Sequence, residues 1–148
     1  MFSGAMLVSC QDDSDPVDIA NKELSLSHSS YSCSEETKYE DDVVKVTITE
    51  TNVLSFNDDT NAVLRTVTEV VDELTGEKIS MTTMDLIGTY KIVNYTVEFH
   101  ISKMKVTADG QEESSDTNII YKYSFDPSLN TLFMDNKKVL EKVPYQKL

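Results

Sequence analysis

From Val44 onward, apolar and polar residues alternate with a period of two, the mark of strands that turn one face to a core and the other to water. The stretch "VKVTITE" sets Val44, Val46 and Ile48 against Lys45, Thr47 and Thr49. Next, "NVLSF" puts Leu54 and Phe56 on one side, a polar turn spans Asn57 to Asn61, and the chain returns through Val63 to Val71. Thr75-Gly76 predicts the following turn, with "ISMTTMD" running on from it. In "IGTYKIVNYTVEFHI", Tyr90 aligns with Ile92 and the pattern kinks near Val93-Asn94. It then places Tyr95, Val97, Phe99 and Ile101 on one face, opposite Thr96, Glu98 and His100. The apolar face switches parity before Met104 and Val106, which predicts a bulge or short turn at Ser102-Lys103. "ADGQEESSDTN" reads as an exposed loop, and "IIYKYSFD" as a strand aligning Ile119, Tyr121, Tyr123 and Phe125. After a turn at "DPSLN", a hairpin of "TLFMD" and "KVLEKV" through Asp135 to Lys138 closes the chain.

Upstream the pattern is weaker. Leu24-Ser25-Leu26-Ser27-His28 alternates and is a candidate first strand, which the serine-rich "HSSYSCSE" should break. Between Gln11 and Asp42 acidic residues face only Lys22 and Lys38, and the part up to about Asn21 reads as a flexible tether. The expected organisation is therefore residues 1–9 as a leader remnant, 10–42 as an acidic tether with a candidate first strand, and 43–148 as the β domain. An all-β antiparallel meander of about eight to ten short, locally connected strands removes its edges best by curling into a barrel or a strongly bent sandwich.

Composition agrees with one β domain: 148 residues, 4 glycines, 3 prolines and no tryptophan, with Val, Ile, Thr and Tyr recurring through the alternating region. The balance of 13 Lys+Arg against 26 Asp+Glu, a formal charge of -13, argues against nucleic acid as a partner, because a polyphosphate is bound by cations that release its counterions. No apolar run approaches the ~18–20 residues of a membrane-spanning helix, so the chain is not expected to cross a bilayer.

Catalytic signatures are missing. There is no glycine-rich phosphate loop, H-E-x-x-H, C-x-x-C or G-x-S-x-G, and no cofactor or metal is expected. His28 and His100 are far apart in sequence, and His100 falls on the polar face of its strand. "NDDTN" offers Asn57, Asp59 and Asn61 at alternate positions, as a calcium loop would. However, Ala62 stands where the sharp-turn glycine belongs and Thr68 where the closing glutamate belongs, so a polar hairpin turn is expected. The aromatic residues are more informative. Tyr90, Tyr95, Phe99, Tyr121 and Tyr123 fall on regular strand faces, where they either pack a solid barrel or line a pocket with hydroxyl anchors.

The N-terminal Leu7-Val8-Ser9-Cys10 resembles the lipobox at which bacterial lipoprotein signal peptides are cut. Small apolar residues precede it and "QDDSDP" follows it, an abrupt change to solvated acidic sequence. The resemblance implies that Cys10 carries lipid as the mature N-terminus, and that residues 1–9 are the end of a longer signal shortened upstream or started at an internal Met. The acidic run resembles the signal that sends lipoproteins of Bacteroidetes-type bacteria to the cell surface, with a periplasm-facing anchor as the alternative. Cys33 is then left unpaired, a small thiol with no activating base nearby in sequence.

The phrases "LSFNDDTNAVLRTVT", "GTYKIVNYTVEF" and "YKYSFDPSLNTLFM" with "KVLEKV" resemble the recurring hairpins of small lipocalin-like lipoproteins of Bacteroidetes-type bacteria, over roughly Val43 to Val143. Thr60 replaces the usual turn glycine, and the G-x-W that opens lipocalin-like barrels is absent. The resemblance implies a lipocalin-like barrel held at the outer membrane by lipid, without enzymatic activity. It would bind a small apolar ligand or, with a solid core, an envelope protein or glycan. The sequence leaves the oligomeric state open.

Overall fold

The computed structural model describes residues 24–134 and 138–148. Cys10, the leader remnant and the tether up to Asn21 lie outside the described residues. Among the described residues eight strands follow one another: β1 Ser29–Glu40, β2 Lys45–Phe56, β3 Asn61–Asp72, β4 Lys78–Val93, β5 Thr96–Ala108, β6 Gln111–Asp126, β7 Thr131–Met134 and β8 Lys138–Val143. Each pairs antiparallel with the next, and β8 returns to pair with β1, so the meander closes into a lipocalin-like barrel.

Register sets which residues face inward. Along β1/β2, Tyr31 stands opposite Leu54, Cys33 opposite Asn52 and Glu35 opposite Glu50. The inner row continues through Leu54 and Leu64, then Leu64 and Leu86, on β2/β3/β4. On the outer face Arg65 is opposite Asp85 and grips it with two hydrogen bonds, Nε to Oδ1 at 2.8 Å and Nη2 to Oδ2 at 2.9 Å. This planar two-point pairing ties β3 to β4.

One end of the barrel is filled. Leu54, Phe56, Phe99, Tyr31 and Tyr123 are essentially inaccessible, and Leu26, which precedes β1, plugs the same core. Phe56 meets Tyr90 edge-on at 4.7 Å and Tyr31 at 6.1 Å between ring centres, and Tyr31 meets Phe125 at 6.2 Å. The C-terminal segment seals this end from outside. Asn57 donates from Nδ2 to the Leu148 carbonyl at 3.0 Å, Gln146 N–H donates to Ser30 Oγ at 2.9 Å, and Tyr145 stacks edge-on against His28.

Where the chain departs from the alternating pattern, the cause is local. Among the described residues the first strand is Ser29–Glu40 rather than Leu24 to His28. His28 takes φ 59 and donates its backbone N–H to Phe56 O, so Leu24 to Leu26 reach the core as a plug, and the serine-rich stretch supplies small side chains that pair with β2. "VKVTITE" and "NVLSF" belong to one strand, β2, because the inner face runs unbroken through Glu50 and Asn52. "QEESSDTN" is strand and not loop. Asp109 and Gly110 take φ 52 and 76, a two-residue turn whose twist suits a hairpin, and Gln111 to Asp116 pair with Lys103 to Ala108. Glu112 and Glu113 are accordingly strand residues. Asn94 and Tyr95 form a similar turn at φ 50 and 64, which removes Tyr95 from the strand face it was expected to share with Val97 and Phe99.

The expected bulge is present. Between Ile101 and Lys103 the pairing of β5 skips Ser102 against both neighbours. Opposite it lies Gly88, where a Cβ would stand 1.8 Å from the His100 carbonyl oxygen. No other residue fits there without moving backbone.

Candidate ligand-binding cavity

Above the aromatic plug the barrel holds a cavity of about 240 Å³. Its apolar lining is Leu64, Leu86 and Leu140 together with Met84 and Met134. The pattern on β2 explains why space remains. From the closed end its inward residues run Phe56, Leu54, Asn52, Glu50, so bulky rings give way to shorter polar groups just where the neighbouring β3 supplies Thr66. Strand length shapes the opening. β7 has 4 residues and β8 has 6, against 12 to 16 for the other six, so the wall is lowest beside Met134 and Lys138.

The polar lining is a connected chain. Thr66 Oγ1 donates to Asn52 Oδ1 at 2.7 Å, and Asn52 Nδ2 donates to Glu50 Oε1 at 3.1 Å. Lys138 Nζ donates to the same oxygen at 3.0 Å from β8, on the other side of β1. The asparagine and lysine bonds hold the Glu50 carboxyl below its ordinary range. Burial works against the charge of Lys138, but the bond to Glu50 and its negative charge outweigh that and raise its pKa. Both groups are therefore ionised at neutral pH. Cys33 lies next to Asn52, 3.8 Å from Nδ2 to Sγ, and burial pushes its thiol pKa up despite Lys138 nearby. The thiol is therefore protonated and a poor nucleophile.

The aromatic candidates divide between the two ends. Tyr121 and Tyr123 line the cavity, and burial raises the pKa of Tyr123 strongly, which keeps its hydroxyl neutral. Phe99 is fully buried in the core and does not line the cavity. Tyr90 also belongs to the closed end, where its hydroxyl donates to the Asp58 carbonyl at 2.7 Å. Burial, with Asp59 and Asp58 close by, pushes its pKa up to about 12. Tyr95 packs against that core from its turn. The tight Asn57 to Asn61 turn is held by Asp58, whose Oδ1 accepts from Thr60 and Asn61 N–H at 2.8 and 2.7 Å while Asn61 Nδ2 caps Oδ2 at 2.9 Å. That carboxylate is already occupied by its own loop. His100 sits half exposed beside Glu98.

Glu50, Asn52, Thr66 and Lys138 are the cavity groups that the sequence reading passed over. The signal was present on β2, since Val46, Ile48, Leu54 and Phe56 share a parity that Glu50 and Asn52 also occupy. Two polar residues within an otherwise apolar inner row mark a wet site.

Comparison of the chain with protein-family models, with curated proteins and with solved structures gave no match.

Proposed function

We propose that this protein is a lipid-anchored binding module of the bacterial cell envelope, which holds a small, largely apolar ligand in its barrel and acts by binding rather than by catalysis. The observation that carries the reading is the 240 Å³ cavity, with leucine and methionine walls and a few convergent polar groups at its mouth. Such a lining is typical of small-molecule sites. The size argues for a compact ligand: a cavity of about 150 Å³ takes a benzene ring, so about ten non-hydrogen atoms fit here, and haem or a bile acid does not. The anchor rests on Leu7-Val8-Ser9-Cys10 and the acidic stretch after it. The rival reading, a protein- or glycan-interaction module, requires a solid core, and the cavity weighs against it.

The test is a thermal-shift screen of the full chain against compact aromatic, alkyl and terpenoid compounds. Melting temperature should rise with ligand concentration, and Met84→Trp, which fills the cavity, should abolish the rise. A panel that leaves the melting temperature unchanged throughout sinks the pocket. The anchor is checked separately by extending the chain upstream with a complete signal segment and supplying a bacterial host with labelled fatty acid. Label should enter the wild-type chain and be lost in Cys10→Ser, and an unlabelled wild type removes the anchor.

A further inference from the structure

We infer that the cavity selects an amphipathic cation, an apolar body carrying an amine or ammonium group, over an anion of the same size. The inference rests on the pocket reading above and names its ligand class. Among the described residues, the inner face at the mouth carries more negative than positive side chains. Glu35 stands opposite Glu50 across the β1/β2 pair, and Glu113, opposite Val106 on β5/β6, lines a shallow hollow on the far wall. Among the described residues Lys138 is the cation beside them, and its Nζ is already bonded to Glu50. Both bonds to Glu50 among the described residues fall on Oε1. The second carboxylate oxygen is thus the better placed of the two to meet a ligand.

The surroundings act in the same direction. Around the mouth, the turns joining β1 to β2 and β3 to β4 bring Asp41, Asp42 and Glu77, with Glu73 paired to Lys38, and the whole chain carries a charge of -13. A mouth walled by low-dielectric protein focuses that field, so a cation is drawn in and an anion repelled. The cavity wall itself suits a cation, because Tyr121 and Tyr123 supply aromatic rings and Met84 and Met134 supply polarizable sulfur. The apolar body would rest on Leu64, Leu86 and Leu140, with its charged end level with Glu50.

The experiment compares three probes of similar body by calorimetric titration of the full chain: 2-phenylethylammonium, 3-phenylpropionate and 2-phenylethanol. The cation should bind about tenfold more tightly than the carboxylate at about 0.01 M salt, with the alcohol between them, and the gap should narrow at about 1 M salt, where charges are screened within about 3 Å. Glu50→Gln should erase most of the preference, and Glu35→Gln, at a more exposed position, should reduce it by a smaller factor. Lys138→Met should widen it. A carboxylate that binds as tightly as the cation, or a preference indifferent to salt and to both glutamine variants, overturns the cation inference and leaves the pocket standing. Binding by none of the three overturns both.

Discussion

The two ends of this barrel are built from the same staves and end up with opposite characters. At the closed end, Tyr31, Phe56, Tyr90, Phe99 and Phe125 interlock beneath Leu26, and the C-terminal segment is hydrogen-bonded across the outside. At the open end, the same strands carry Glu50, Asn52 and Thr66 inward, and the short β7 and β8 leave the wall low. Strand pairing is continuous through both, so the sheet does not decide where the protein is solid. Side-chain volume on the inner parity does. Stability and binding are thereby assigned to different layers of one barrel, and each can be disturbed with little effect on the other.

The sharpest way to break that division is Gly88→Ala. The added methyl would meet the His100 carbonyl at 1.8 Å, against backbone that is fixed by pairing on both sides. The β5 bulge would have to open, at a cost of about 4 kcal/mol or more. Urea denaturation of the full chain should show a folded population much reduced or lost, and a midpoint within error of wild type would mean that the bulge can slide.

A pair of truncations measures the contrast itself. Phe56 is fully buried in the ring cluster, so Phe56→Ala should destabilise by about 3–5 kcal/mol through lost contacts and an unfilled hole. Met84 already borders empty space, so Met84→Ala should cost about 2 kcal/mol or less, near the low end for a buried methionine. Equal losses in chemical denaturation would show that the open end is as tightly packed as the closed one.

Much of this architecture is written in the alternating pattern. The period-2 faces of β2 to β6, the Ser102 bulge and the turns at Asn57 to Asn61 and Thr75-Gly76 follow directly from it, because half-buried strands force residues of one parity inward. The pattern failed where polarity and burial part company. Gln111 to Asp116 looked like loop because strand near an open rim has water on both faces, so nothing selects apolar side chains there. Ser29 to Ser34 looked like a break because small serines suit tight pairing: Ser30 and Ser55 share a hydrogen bond at 2.7 Å inside the seam between β1 and β2. The cavity was half legible. Tyr121 and Tyr123 were visible as inward aromatics, but Lys138 joins Glu50 only through closure of the barrel, a contact between residues 88 positions apart.

The mildest test uses acid and compares a turn from each end. Asp58 at the closed end and Asp41 at the open end each accept two backbone N–H bonds, Asp58 from Thr60 and Asn61, Asp41 from Val43 and Val44. The pKa of Asp58 is lowered from 3.8 chiefly by the Asn61 side chain and then by those N–H groups, and that of Asp41 by the N–H groups of Val43 and Val44. A carboxyl whose folded pKa is depressed contributes stability that is fully present above the unfolded value and lost as pH falls through the folded one. Melting temperature should therefore decline below about pH 4. Asp58→Asn keeps an oxygen to accept the backbone bonds but cannot titrate, so its acid decline should be shallower than that of wild type. The Asp58 loop is tied into the core through Tyr90, whose hydroxyl donates to the Asp58 carbonyl, whereas among the described residues the hydrogen bonds of Asp41 stay within its own hairpin, the exposed Tyr39 included. Asp41→Asn should thus change the acid decline less than Asp58→Asn does. If the two variants reverse that order, the open-end turns bear more of the fold's stability than their packing implies.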